Sequence, residues 1–262
     1  MNLKITNFGL ISNAEIDINT INVVGGVNSS GKTLASRLIY CYLKSPDNPE
    51  NLLENEGLTN ISKDNITFHS DSIFSDVFYL ESISTLDLRN SNFLKLDHIK
   101  HTIECMEAQK KPHTSDIVSK ITEITNDECY SSAGIKQIGI IQILLENHSL
   151  KKDSFLIIDE PESNLHPDWQ IKFAEILVLL SKDLNISLYL NSYSPIFIEA
   201  VSLYAQYYDL IGKTNFYLTK KQPNGKFTFK KINLKNMGEV YENLTKAYDE
   251  LDKLKARILF KE

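Results

Sequence analysis

The sequence has few cysteines and no long hydrophobic run, and both features limit the kind of protein it can be. Its three cysteines, Cys41, Cys105 and Cys129, are odd in number and scattered, so we expect free thiols in a reducing compartment and no disulfide framework. No segment approaches the roughly 18 consecutive apolar residues of a transmembrane helix, and residues 1–6 lack the apolar region of a signal peptide. We therefore expect a cytoplasmic protein without a membrane partner.

Excess positive charge, internal repeats and a sustained heptad pattern are also missing. The 262 residues carry a net charge of −6, which argues against a sequence-wide affinity for nucleic acid, although not against a local basic patch. Without heptads we expect no coiled-coil arm. The length fits one α/β domain, 1–262, with a helical insert lobe at 44–130 and a C-terminal hairpin and helix at 213–262.

What the sequence does have is a candidate phosphate-binding loop. Residues 26–33 fit the pattern G-x-x-x-x-G-K-[ST] between a predicted strand, 21–24, and a predicted helix, 33–43. In that setting backbone N–H groups and the helix dipole hold a phosphate, Lys32 reaches the β- and γ-phosphates of ATP, and the Thr33 hydroxyl ligates Mg²⁺. The alternative is a glycine turn followed by a surface lysine. The predicted nucleotide-binding residues are Gly26, Asn28, Ser29, Ser30, Gly31, Lys32, Thr33 and Leu34.

Strands alternate with helices along the rest of the chain, which predicts a mostly parallel sheet with helices on its faces. Residues 3–6 and 14–18 alternate like strands of an antiparallel N-terminal sheet. Near the end, Asn224 and Gly225 form a strong hairpin signal, and a last helix is predicted over 237–259. Residues 45–65 are rich in Asn, Asp, Glu, Pro and Ser, which predicts a surface excursion.

Two carboxylates follow a second apolar strand. Residues 155–158 are Phe-Leu-Ile-Ile, and Asp159 and Glu160 come directly after them. Alone, this pattern is equally compatible with a buried strand that simply ends in polar residues and has no functional role. Because ligands of open α/β sheets lie at the carboxyl ends of the strands, we expect both acids beside the bound phosphates. There Asp159 supports the Mg²⁺, and Glu160 orients and deprotonates an attacking water.

The residues that continue from these acids resemble a known family. Residues 159–167, D-E-P-E-S-N-L-H-P, resemble the D-E-P-E-x-x-L-H-P run of ABC-type ATPases of the SMC-like and OLD-like group. Residues 131–137 resemble the S-x-G-x-x-Q signature of that family, and residues 191–195 lie where it usually reads T-H-S-P. The resemblance implies an ABC-type head that pairs head to tail around two ATP molecules, with Ser132 and Gly134 on the γ-phosphate of the other protomer. The alternative for these two residues is a serine-capped helix N-terminus.

Two positions depart from the family pattern. Tyr193 stands where the family has a catalytic switch histidine, and a phenol donates a hydrogen bond but carries no positive charge near neutral pH. We therefore expect slow hydrolysis or a nucleotide-dependent clamp. A metal-contacting glutamine is missing after the predicted strand 77–80; Glu81 or Ser82 substitutes for it, or neither does. The alternative for Glu81, which we slightly prefer, is a solvated charge at the end of a strand.

The compact length and the segments 79–82 and 191–200 most resemble the ATPases of bacterial Septu-like and retron-associated anti-phage systems, in which the ATPase accompanies a separate nuclease. The resemblance implies self-association around ATP and a separate nuclease or other effector as partner. Nucleic acid and a retron-type complex stay open as further partners. The alternatives are a nucleotide-gated scaffold, a DNA-repair-type ATPase and, less favoured, the nucleotide-binding domain of a transporter.

The predicted hairpin is rich in lysine. Its lysines are interpreted as protection of an exposed sheet edge, with a nucleic-acid or partner contact as the alternative. They are Lys220, Lys221, Lys226, Lys230 and Lys231.

Overall fold

The computed structural model describes residues 1–59, 65–70, 72–81, 96–108, 116–125, 136–233, 237–244 and 246–259, and the statements that follow concern these residues. The strands are β1 (Asn2–Phe8), β2 (Ile11–Asp17), β3 (Ile21–Gly25), β4 (Ile66–His69), β5 (Val77–Leu80), β6 (Phe155–Asp159), β7 (Ser187–Ser192), β8 (Thr214–Lys221) and β9 (Phe227–Ile232). The helices are α1 (Lys32–Lys44), α2 (Pro49–Asn55), α3 (Asp97–Glu107), α4 (Asp116–Thr125), α5 (Lys136–Glu146), α6 (Pro167–Leu184), α7 (Pro195–Tyr207), α8 (Met237–Leu244) and α9 (Lys246–Leu259). Within the described ranges, no helix is both long and apolar enough to cross a membrane.

The strands form one sheet in the order β4-β1-β2-β9-β8-β3-β7-β6-β5. From β8 to β5 all neighbouring strands run parallel, whereas β1 is antiparallel to both of its neighbours, β4 and β2. The predicted fold class is therefore confirmed: a mostly parallel sheet flanked by helices, with an antiparallel N-terminal part and a C-terminal hairpin. Because β3, β5, β6 and β7 are parallel, their carboxyl ends lie at the same end of the sheet, and the residues that follow them meet there.

The central strands are apolar on both faces because helices cover both sides of the sheet. In β6, Phe155 and Ile157 belong to the core that α1 covers, whereas Leu156 and Ile158 belong to the core under α6 and α7. Every residue of β3 and β6 is buried. Each large apolar side chain removed from water contributes about 1.5–3 kcal/mol, so this double burial fixes the register of the strands and the positions of their ends.

The C-terminal hairpin lies in the middle of the sheet and not at the exposed edge that its lysines were predicted to protect. β8 and β9 pair antiparallel on either side of Asn224 and Gly225, but β8 also pairs with β3 and β9 with β2. The hairpin thus joins the N-terminal strands to the parallel part of the sheet. The interpretation of its lysines as edge protection is wrong, because the edge strands are β4 and β5. Lys220 and Lys230 each lie 3.2 Å from a carboxylate oxygen of Glu239 on α8.

Two further segments differ from the sequence-based expectation. The predicted surface excursion 45–65 contains α2, which begins with Pro49, a residue suited to the first turn of a helix. The predicted last helix is two helices, α8 and α9. Ser82, Cys129, Ser132 and Gly134 lie outside the described residues. The division into one domain with an insert lobe at 44–130 stays a prediction, although residues of that range supply β4 and β5 to the sheet.

Candidate functional site

The turn between β3 and α1 leaves the first N–H groups of α1 without acceptors inside the helix. α1 begins at Lys32, its N-cap Gly31 offers no side-chain hydrogen bond, and its first turn carries no acidic residue. The backbone N–H groups of Lys32, Thr33 and Leu34 are therefore able to bind a ligand, and the helix dipole favours an anion at this end.

Two glycines allow the loop to lie directly against the sheet. A Cβ on Gly26 would be 1.9 Å from Thr219 Oγ1 of β8. Gly31 has a φ of 93°, and a Cβ there would be 2.6 Å from Ile11 Cγ1 of β2. Glycine fits both positions without a shift of the backbone, and larger residues do not. Among the predicted nucleotide-binding residues, Asn28, Ser29 and Thr33 are exposed.

Lys32 folds back over the loop. Its Nζ donates to the carbonyl oxygens of Gly26 at 2.8 Å and Val27 at 2.9 Å. Burial lowers the pKa of Lys32, and the nearby Asp159 carboxylate opposes that effect. The Ser30 hydroxyl is buried and has no hydrogen-bond partner within the described part of the chain. A buried hydroxyl without a partner, beside an ammonium and helix-terminal N–H groups, fits a bound phosphate.

Asp159, the last residue of β6, lies beside the first turns of α1. Its carboxylate accepts hydrogen bonds from the Thr33 hydroxyl, the Asn191 amide and the Tyr79 hydroxyl, the last at 3.1 Å. Burial raises the pKa of Asp159, while the hydrogen bonds from Thr33 and Asn191 act in the opposite direction. Thr33 and Asp159 thus present adjacent oxygen atoms, which are the ligands that Mg²⁺ prefers.

Glu160 follows Asp159 in the left-handed conformation, with a φ of 51°, which is unusual for a residue other than glycine. Its N–H donates to the carbonyl oxygen of Asn191 on β7 at 2.9 Å, which holds it at the edge of the sheet. Ser163 Oγ lies 3.1 Å from Glu160 Oε2. Ser163 also forms a hydrogen bond with the hydroxyl of Tyr193, which is 39 % exposed. One serine therefore connects the predicted base with the residue at the switch position.

Glu162 joins the loop after β6 to the start of α7. Its Oε1 accepts the backbone N–H groups of Tyr193 at 2.7 Å and Ser194 at 3.1 Å. Burial raises the pKa of Glu162 to about 7, and Oε2 is buried without a hydrogen-bond partner among the described residues. This carboxyl group therefore fixes the backbone of Tyr193 relative to the loop that carries Glu160.

The interpretation of Glu81 as a solvated charge is wrong. Glu81 is only 5 % exposed, and its Oε1 accepts Arg37 Nη2 at 2.7 Å and Arg37 Nε at 3.0 Å. Arg37 compensates the buried charge from α1, one helical turn after Thr33. That spacing is visible in the sequence, but the pair forms only because β5 lies beside α1. The residues near the site that the sequence did not single out are Ser36, Arg37, Tyr79 and Ser163.

The fold corresponds to that of a solved SMC head domain. An SMC head bound to the C-winged-helix domain of ScpA matches with a TM-score of 0.53 and 10 % identity over 91 % of this chain and 98 % of that chain. The SMC head domain from Thermotoga maritima gives 0.47 and 12 % over 89 % and 98 %, and a putative metal-chelate-type ABC transporter gives 0.46 and 16 % over 90 % and 84 %. At 10 % identity the first likeness establishes the fold and not the activity.

A family match covers part of the site. Residues 112–193 match the family described as "AAA domain, putative AbiEii toxin, Type IV TA system", a segment that includes Asp159 and Glu160. No curated protein matches the chain in sequence. The predicted resemblance to ABC- and SMC-type P-loop ATPases is confirmed, whereas the resemblance to Septu-like ATPases stays a prediction.

Proposed function

We propose that this chain binds ATP with Mg²⁺, hydrolyses it slowly, and uses ATP-dependent pairing of two copies to control a partner effector. The observation that carries the proposal is the convergence of three kinds of group at one sheet edge. These are the anion-binding turn after β3, the oxygen pair of Thr33 and Asp159, and the carboxylate of Glu160.

Phosphate binding rests on the loop. In the proposed complex Lys32 Nζ exchanges the carbonyl oxygens of Gly26 and Val27 for phosphate oxygens, which carry more negative charge and accept stronger hydrogen bonds. Ser30 Oγ gains the partner that it lacks among the described residues. Thr33 and Asp159 hold the Mg²⁺, which neutralises charge on the phosphate oxygens.

Hydrolysis requires a base beside the γ-phosphate, and Glu160 is the residue that we assign to it. Its carboxylate takes a proton from water, the water oxygen bonds to the γ-phosphorus, and the bond to the β–γ bridging oxygen breaks with its electron pair leaving on ADP. Tyr193 is connected to Glu160 through Ser163 but offers no positive charge to the developing transition state. Slow turnover is therefore part of the proposal.

Pairing and an effector are the further parts of the proposal. By resemblance, two copies enclose two ATP molecules, and Ser132 and Gly134 of each copy contact the nucleotide held by the other. The solved SMC head bound to a winged-helix domain of ScpA supports the idea that such a head engages a separate protein. The matched family is described as a putative AbiEii toxin of a type IV TA system, and we propose that the effector is a nuclease in anti-phage defence.

The first test is Lys32→Ala, measured by calorimetric titration with ATP and Mg²⁺. We expect ATP affinity to fall at least about a hundredfold, because a charge-assisted contact to phosphate is lost, while the circular dichroism spectrum is unchanged. The matched control is Lys213→Ala, an exposed lysine just before β8, at the opposite edge of the sheet. Unchanged affinity in Lys32→Ala would refute the assignment of the loop.

The second test is Glu160→Gln, which keeps the shape of the side chain and removes the base. We expect an ATP-bound pair to persist, seen by light scattering as a doubling of mass that ADP does not produce. Combined with Lys32→Ala, the association should disappear. A nucleotide-gated scaffold, which Tyr193 favours as the second candidate, predicts the same association in the unmutated protein without measurable phosphate release. A monomer under all of these conditions contradicts the pairing.

A further inference from the structure

We propose that Tyr79 is a positioning residue for the metal: its hydroxyl orients Asp159 and thereby sets the affinity of the nucleotide site for Mg²⁺. This inference rests on the proposed function and names a side chain that neither the sequence motifs nor the family resemblance assigns. It follows from the hydrogen bonds of the Tyr79 hydroxyl beside Asp159.

The hydroxyl of Tyr79 lies between two carboxylates. Its oxygen is 3.1 Å from Asp159 Oδ2 and 3.1 Å from Glu81 Oε1, and the side chain is almost fully buried on β5. A phenol has one hydrogen and donates to one acceptor at a time.

The two carboxylates differ in the other hydrogen-bond donors that they accept. Glu81 Oε1 already accepts two N–H groups of the Arg37 guanidinium. In the described part of the chain, the donors to Asp159 are all neutral: Thr33, Ser36, Asn191 and Tyr79. The hydrogen of Tyr79 therefore stabilises Asp159 more than Glu81, and it holds the Asp159 carboxylate in one orientation beside Thr33.

The ring of Tyr79 packs against His98 of α3, and this contact limits the movement of the Tyr79 hydroxyl relative to Asp159. The Tyr79 and His98 ring centroids are 4.4 Å apart. His98 in turn is held by Glu56, which accepts its backbone N–H at 3.0 Å and lies 2.6 Å from its Nδ1. All three residues are buried. A donor with a fixed position orients an acceptor, which is what a metal site requires of the residues behind its ligands.

The chain provides a matched control for the test. Tyr189 of β7 and Tyr79 of β5 flank Ile157 of β6 in register, so both rings lie on the same face of the sheet. The hydroxyl of Tyr189 is also buried, but it has no hydrogen-bond partner among the described residues. Tyr79→Phe and Tyr189→Phe therefore remove the same atom from two buried tyrosines, and only the first removes a hydrogen bond to Asp159.

The readout is the Mg²⁺ concentration that gives half of the maximal gain in ATP affinity, measured with a fluorescent ATP analogue. We expect this concentration to rise about tenfold in Tyr79→Phe, equivalent to about 1.4 kcal/mol, and to stay unchanged in Tyr189→Phe. Affinity for the analogue in EDTA, where no Mg²⁺ is bound, should be unchanged in both variants. A general structural defect would lower this affinity as well, so the measurement distinguishes the two causes. Melting temperatures of both variants verify that each is folded.

The outcomes separate the inference from the proposed function. An unchanged Mg²⁺ requirement in folded Tyr79→Phe overturns the role of Tyr79 and leaves ATP binding intact. An equal rise in Tyr189→Phe overturns it as well, because the effect then has nothing to do with Asp159. Failure of the unmutated protein to bind the analogue at all overturns the proposed function and this inference together.

Discussion

The buried carboxyl group of Glu162 predicts a pH dependence of stability that one substitution should remove. Glu162 is 3 % exposed, and burial raises its pKa from 4.5 to about 7. The folded state therefore binds this proton more tightly than the unfolded state does. Its contribution to stability is fully present below pH 4.5 and is lost as the pH rises through 7. At about 1.4 kcal/mol per pKa unit, the loss amounts to about 3 kcal/mol.

Glu162→Gln should remove this pH dependence. The glutamine carbonyl oxygen still accepts the N–H groups of Tyr193 and Ser194, and the side chain stays neutral at every pH. At pH 5 we expect the glutamine variant to be more stable by about 1 kcal/mol or less, because the loss begins only above pH 4.5. By pH 8 the glutamine variant should be the more stable by up to about 3 kcal/mol. Other titrating groups are common to both proteins, so they cancel in the difference.

The assay is urea unfolding at pH 5, 6, 7 and 8, followed by the fluorescence of the single tryptophan, Trp169 on α6. Glu107→Gln is the control, since it removes a carboxylate from an exposed position on α3. Its pH profile should match that of the unmutated protein. If Glu162→Gln follows the same profile as the unmutated protein, the argument from burial is refuted.

Two further predictions concern the loop and the switch position. Gly26→Ala should lower the free energy of unfolding by roughly 3 kcal/mol, because its Cβ would meet three side-chain atoms of Thr219 within 3.0 Å. Gly212→Ala, with no atom within 4 Å of the new Cβ, is the control in the same denaturant titration, and equal losses in both variants would contradict the steric argument. Tyr193→His should raise the rate of phosphate release about tenfold near pH 6 by placing a positive charge near Glu160, and an unchanged or lower rate would remove Tyr193 from the account of slow turnover.

The sequence predicts the parts of the fold that local pattern determines. The strand, turn and helix around Lys32, and the acids at the end of β6, are where the spacing puts them. Long-range pairing is not contained in such patterns. The hairpin turn at Gly225 was predicted, but its strands lie in the middle of the sheet, because only the tertiary fold determines which distant strands they join.

The burial of charged side chains was the other feature that the sequence did not predict. Glu81 follows an apolar strand in the way a solvated terminal charge does, and only the approach of Arg37 from α1 distinguishes the two. The hydrogen bond from Tyr79 to Asp159 likewise depends on the pairing of β5 with β6, which no spacing in the sequence reports. Helix α2 was missed because polar residues dominate its segment and a single side chain, Leu53, is buried.

The central position of β8 and β9 has a consequence for the synthesis of the protein. β2 and β3 are made first, yet the strands that separate them in the sheet come from residues 214–232. At about 5–20 residues per second, a ribosome makes the two groups roughly 10–40 s apart. During that interval, β2 and β3 expose unpaired edges that other nascent chains can join. The strand that leads into the phosphate loop therefore gains its neighbour β8 only after translation of the hairpin, and a nascent chain arrested before residue 214 should bind no nucleotide.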